Sequence, residues 1–310
     1  MALNAARTCD GDPAGTATCT PAELVAVEHR PIPHSSWPSE DPVRKQVDYL
    51  GELIADQAAR VAGRSLDDAT FIITTTSLSH AFQAWPLLVD RLVGTIERRL
   101  GVRPNGLLQV YLCTGWAFAL RACARHSRSG TVVITIADVD FHDLDHLREH
   151  PLIGKQGYGL TTLVFELPAD GDLACSVDGP FKNNGFKELI LALRTRQREA
   201  DTARTFVPFL KQELRRIVEA SLGRERLGAN LHHRIGHCFG SDPWIGVIDW
   251  LSHDSPCLPQ RVLVGGFAYT GYIAHAEIAI PEHVRFEIHD REERQPTLRC
   301  LSEPVTPVEG

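Results

Sequence analysis

The sequence predicts an α/β layered protein, and three observations predict it. Short apolar runs rich in β-branched residues, without polar alternation, read as strands covered on both faces. The segments between them carry apolar residues at the 3.6-residue period of a helix, so strands and helices alternate along the chain. The chain has 310 residues, 43% hydrophobic and 23% charged, enough for one large core or two fused smaller ones.

The elements follow in order. Residues 1–21 are rich in Ala, Gly, Thr and Asp and read as a flexible lead-in. PIPHSSWPSEDP breaks any long element before residue 44. RKQVDYLGELIADQAARVA, 44–62, has helical spacing. ATFIITTTS, 69–77, is a β-branched run and reads as a buried strand. LLVDRLVGTIERRLG, 87–101, returns to the helical period and ends on Gly101, a C-cap residue. A strand over 107–112, a helix over 114–126 and a strand over 130–139 follow, then a strand over 160–167. In the second part, 206–221 reads as a helix with Leu210, Leu214, Ile217, Val218 and Ser221 on one face. WIGVIDWLS, 244–252, reads as a helix, and 261–280 as two strands around a Gly-rich bend. Two stretches, 22–168 and 169–295, thus carry strands and helices in similar order, which permits a pseudo-duplicated fold. The tail 296–310 holds Pro296, Pro304 and Pro307 and reads as loose.

Composition narrows the function classes. A net charge of -7 argues against a nucleic-acid binder that works by general phosphate attraction. No apolar run reaches the ~20 residues needed to span a bilayer, and the N-terminus lacks the basic-then-apolar order of a secretion signal. The expectation is a cytoplasmic protein, with no membrane and no nucleic-acid partner. Its eight cysteines show no CxxC, so free thiols are expected and no metal site is indicated. His142, His146 and His150 would share a face if DFHDLDHLREH were helical, but so charged a segment reads as a solvated face.

Cys113 stands at the junction of an apolar run and a small-residue helix, GLLQVYLCTGWAFALRAC. A thiol at a helix N-terminus gains thiolate character from the helix dipole. A buried cysteine that packs as a small hydrophobe is the alternative.

The order TTTS, LCTGWAFAL, GYGLTTLVFEL, FVPFLKQELRRI, RIGHCFGSDPW, VLVGGFAYTGY resembles the thiolase-fold condensing enzymes, and among them β-ketoacyl-ACP synthase III, over residues 22 to 290. The resemblance implies two pseudo-duplicated α/β halves in five layers (αβαβα). It also implies a nucleophile at Cys113, with Gly115 two residues on as the family's turn requires. Two departures stand out. The family's histidine after the Val-Pro pair is replaced by Phe209, which relays no proton. The family's later asparagine is replaced by His237 in Gly236-His237-Cys238, a form similar to that of ketoacyl synthases I and II. The Gly-Asp-Gly-Ala turn corresponds to Gly157-Tyr158-Gly159-Leu160. The oxyanion hole would use the backbone N–H of Cys113 and one from the Gly-rich bend, at Ala268 or Thr270.

Losing one side-chain donor costs a condensing enzyme about 10²–10³ in rate, whereas acyl transfer needs only a thiolate, a base and an oxyanion hole. The leading expectation is therefore an acyltransferase. It would load an acyl group from CoA or acyl carrier protein onto Cys113 and pass it, with His237 as base, to an O, N or S nucleophile of a small acceptor in polyketide-like metabolism. Carbon–carbon bond formation with a modified site is the alternative, and a non-catalytic partner subunit a further one. The resemblance also implies a homodimer, no permanently bound cofactor, and a basic patch for the carrier or CoA at Lys211, Arg215 and Arg216. Trp116, Trp85 and Phe82 are candidates for an acyl tunnel, with core packing as the alternative for each.

Overall fold

A computed structural model describes residues 19–32, 37–38, 41–126, 130–141, 149–150, 153–169, 172–289 and 299–300. In the first part, strands β1 (Ala22–Pro31), β2 (Thr70–Thr74), β3 (Gly106–Leu108), β4 (Thr131–Asp138) and β7 (Gly159–Glu166) form one run of sheet. The pair β5 (Glu149–His150) and β6 (Gly154–Lys155) stands apart from it. Helices α1 (Val43–Ala62), α2 (Ser79–Ala84), α3 (Leu87–Leu100) and α4 (Gly115–His126) connect the strands. The second part supplies β8 (Cys175–Asp178), α5 (Gly185–Glu199), β9 (Arg204–Phe206), α6 (Gln212–Leu222), α7 (His232–Ile235), α8 (Asp242–His253), β10 (Gln260–Phe267) and β11 (Ile273–Ile280). Strands β12 (Arg285–Ile288) and β13 (Arg299–Cys300) close the described chain.

The two parts repeat one pairing scheme. β2 pairs parallel with β4, β4 antiparallel with β7, and β7 antiparallel with β1. β9 pairs parallel with β10, β10 antiparallel with β11, and β11 antiparallel with β8. Even the outer strand has a counterpart: β3 adds parallel to β2, and Leu227 bridges parallel to Thr205 of β9. The two runs join where β1 meets β11 in parallel, Ala22 opposite Ile278 and Glu23 opposite Ala279.

Alternation along each strand assigns the layers. Phe71, Ile73, Val133 and Val164 face α1 and α3, while Val132, Ile134, Leu163 and Phe165 face α4 and α8. On the second run, Val262, Val264 and Ala276 turn to α4 and α8, and Leu263 and Ile273 turn to α5 and α6. The order is helices, sheet, helices, sheet, helices. The central α4 and α8 touch through Trp116 and Trp244, ring centroids 5.0 Å apart and nearly perpendicular. No helix among the described residues is long and apolar enough to cross a membrane.

Three sequence expectations change. The strand expected over 107–112 ends at Leu108, and the chain instead turns through Leu112–Thr114, with Leu112 in the left-handed region at φ 48°. The helix expected from 206 begins only at Gln212, because Arg204–Phe206 is strand β9 and Pro208 cannot continue a ladder. Its inward face is also shifted: Arg215, Val218 and Leu222 are buried, and Ile217 is 52% exposed. His142 and His146 lie outside the described residues, and His150 falls in β5 rather than on a helix.

A charge cluster fastens β12 to the first part. Glu28 of β1 stands opposite Glu287 of β12. Arg60 of α1 grips both Glu28 carboxylate oxygens, and His289 Nε2 lies 2.9 Å from Glu28 and 3.7 Å from Glu287. Burial alone would raise the Glu28 carboxyl; hydrogen bonds from His289 and Arg60 outweigh it and hold it low. Glu287, desolvated and facing Glu28, is pushed up.

Candidate functional site

The two parts meet at two sharp turns that mirror each other. Leu112 (φ 48°) opens the short helical turn Leu112–Thr114 that runs into α4. Phe239 (φ 54°) opens the turn Phe239–Ser241 that runs into α8. In each case the strained residue stands three before the helix starts. The turns pack against each other so closely that a Cβ on Gly240 would lie 3.3 Å from the Cys113 carbonyl oxygen. Cys113 is thereby set at the N-terminus of buried helix α4, with only 6% of its surface exposed.

His237 is held from both sides by backbone. Its N–H donates to Lys155 O (2.8 Å), and its carbonyl accepts from Gly157 N–H (2.9 Å). Gly157 has no room for a side chain, since a Cβ would stand 2.6 Å from Cys238 Sγ. The Gly157–Gly159 turn therefore positions the histidine.

The side chains complete a relay. Cys113 lies close enough to the His237 ring to raise its pKa. Its Nδ1 lies 2.5 Å from Asp242 Oδ2 and 3.2 Å from the Phe209 carbonyl oxygen. Since Nδ1 is engaged, Nε2 is the nitrogen available to the sulfur. Asp242 is fully buried; it also accepts the Phe209 N–H at 2.8 Å and the Cys238 N–H at 2.5 Å. Burial alone would lower the His237 pKa, but the Asp242 carboxylate and the Cys113 contact outweigh it and raise it well above the ordinary value. From the other side Thr76 Oγ1 donates to Cys113 Sγ at 3.7 Å.

The structure thus brings Cys113, His237 and the Phe209 backbone together. The Phe209 ring itself is buried in an apolar cluster with Leu231, Cys238 and Ile245. Sequence reasoning missed Asp242, although its signal is present: Asp followed by Pro243 at the start of a helix, five residues after His237. Thr76 lies in the TTTS motif, but nothing in that motif signals its contact with Cys113, which is made only by the fold.

Other expected site residues are placed elsewhere. The Ala268 N–H donates to Tyr272 O at 2.9 Å and closes its own turn, so it is already engaged there; Thr270 sits exposed on that turn. Trp116 belongs to the α4–α8 core, Phe82 packs on Phe141 at 6.3 Å under α1, and Trp85 is 51% exposed. Trp116 and Phe82 thus stand in different apolar clusters. Arg215 is buried and structural, bonded to Glu219 at 3.0 Å and to Gly228 O at 2.7 Å, so it is not a carrier contact. Arg216 is exposed and Lys211 half-buried.

No protein-family model matches the chain, and no curated protein matches it by sequence. Solved structures do. 3-Oxoacyl-(acyl carrier protein) synthase III, FabH, from Pseudomonas aeruginosa PAO1 aligns at TM-score 0.59 and 12% identity, covering 84% of this chain and 99% of that one. The priming β-ketosynthase of the R1128 polyketide biosynthetic pathway aligns at 0.57 and 12%, covering 87% and 99%. ChlB3, described as an acyltransferase, aligns at 0.56 and 14%, covering 83% and 97%. At these identities the likeness establishes the architecture: the chain has the thiolase-like fold of the ketoacyl synthase III proteins.

Proposed function

We propose that this protein is a ketoacyl synthase III-type acyltransferase working through an acyl-Cys113 intermediate. The observation that carries the reading is the grouping of Asp242, His237 and Cys113, formed where Phe209 leaves no second imidazole. Attack of the Cys113 sulfur on a thioester carbonyl forms the new C–S bond with the thiol proton held on the His237 ring. Collapse breaks the donor C–S bond, and the imidazolium returns that proton to the departing CoA or carrier thiolate. His237, now neutral, takes a proton from an acceptor hydroxyl, amine or thiol as that atom attacks the acyl carbon. The proton then goes to the Cys113 sulfur as it leaves. Asp242 keeps the Nδ1–H tautomer and stabilises the imidazolium in both halves. The Cys113 N–H at the start of α4 is the oxyanion donor in this reading.

A single imidazole beside the sulfur, with Phe209 where the family has a histidine, favours transfer over decarboxylative condensation, which must stabilise an enolate as well. An intact relay also weighs against a non-catalytic partner subunit. The proposed setting is cytoplasmic, as a homodimer, with CoA or an acyl carrier protein delivering the donor. Arg216 and Lys211 remain as carrier contacts, the thioesters are substrates, and no permanently bound cofactor is needed. Intact mass after incubation with a panel of acyl-CoAs and acyl carrier proteins tests the reading. An adduct in the wild type, absent from Cys113→Ala, is expected; no adduct with any donor would overturn it. Adding malonyl thioester to the adduct separates the chemistries, since transfer predicts no carbon dioxide release.

A further inference from the structure

Asp138 ends strand β4 and is buried to 1% exposure. Its Oδ1 accepts three donors from one segment: Thr76 N–H at 2.7 Å, Ser77 N–H at 2.8 Å and Thr75 Oγ1–H at 3.3 Å. Its Oδ2 is buried with no partner. Burial pushes the carboxyl up to about 6, against the pull of those donors. Placing a carboxylate here is costly, and the three donors all belong to the segment whose next contact is the sulfur. The Thr76 carbonyl is fixed by Ser79 Oγ–H at 2.8 Å, the Thr75 N–H by Leu108 O at 3.0 Å, and the Thr76 hydroxyl is left to donate to Cys113 Sγ at 3.7 Å.

We propose that Asp138 is a positioning residue for Cys113, acting through Thr76: it fixes the backbone of Thr75–Ser77 so that the Thr76 hydroxyl donates to the sulfur. The inference deepens the reading of Cys113 as nucleophile and rests on it. A hydroxyl bond to the developing thiolate lowers the energy of the attacking form, and a loosened segment loses it.

Alkylation of Cys113 by iodoacetamide, followed on the full chain by peptide mass spectrometry at pH 7, reads this directly and needs no acyl donor. Asp138→Ala and Thr76→Val are each expected to slow it about tenfold, the size of a hydrogen bond to a charged group. The double variant should be no slower than Thr76→Val alone, because both act through one contact. Asp138→Asn keeps an acceptor oxygen and should stay within about threefold of wild type. Unchanged alkylation in Thr76→Val, losses that multiply in the double variant, or an Asp138→Asn loss as large as that of Asp138→Ala would overturn the proposal. If Asp138→Ala does not fold, the Thr76→Val and Asp138→Asn rates decide it. Fast, Thr76-dependent alkylation without acylation by any donor would sink the acyl-transfer reading and leave this one standing.

Discussion

Asp242 binds two backbone N–H groups and the His237 ring while fully excluded from water. Removing its charge while keeping its shape isolates the electrostatic part of that role. Asp242→Asn is expected to slow acylation about 10²–10³-fold, because the ring loses both its tautomer and its counter-charge. Pre-steady-state acylation with whichever donor labels Cys113 measures this, and a loss under threefold would show that Phe209 O suffices to orient the ring. At this scale, Cys113 stands out from its turn-plus-helix pattern, and His237 only from the resemblance that sets Gly236-His237-Cys238 against the family's asparagine motif. Asp138 and Thr76 were not legible as partners, because residues 62 positions apart are joined only by the β2–β4 pairing that aligns their strand ends. Arg215 misled for a similar reason: charge suggests exposure, but its partners Glu219 and Gly228 O appear only in the folded chain.

At the scale of elements, β12 is fastened to β1 and α1 by Arg60, His289 and the two glutamates. Arg60→Ala would strand the buried Glu28 carboxylate. A loss of about 2 kcal/mol is expected, less than for a fully buried pair because Arg60 is 29% exposed. Glu287→Gln should be neutral or stabilising at pH 7, since it removes a buried charge beside another of the same sign. Urea melts of the two variants would check the contrast, and equal losses would show that Glu287 is held by the cluster as a needed anion. The strands themselves were readable because layers on both faces keep them apolar throughout. Strand β3 was overread, since the apolar run LLQVYL continues past the point where the chain must bend to present Cys113.

For the whole molecule, three buried histidines set the pH of greatest stability. Burial holds His29 down at about 3 and His275 at about 4, against an ordinary value of 6.5. As pH falls below 6.5 the unfolded chain takes up protons that these two refuse, and stability drops. His237 is shifted the other way. Its contribution is fully present below 6.5 and is lost as pH rises through its higher folded value. Asp138 offsets part of the acid loss, because below about 6 it takes up a proton in the folded state before the unfolded chain does. Thermal melting should therefore peak near pH 6.5 and decline on both sides, and His237→Gln should flatten the alkaline side alone. A melting curve that keeps rising to pH 8.5 would contradict this.

The mirrored turns carry a further consequence. Gly240 faces the Cys113 carbonyl across a gap that is tight for even a Cβ, 3.3 Å. A doubled scaffold offers two turns, one for each of two reactive groups. Here the side chain on one turn crowds the other, so the twin carries a glycine and, in the proposed reading, the base comes from the segment just ahead of it, a division of labour within a symmetric frame.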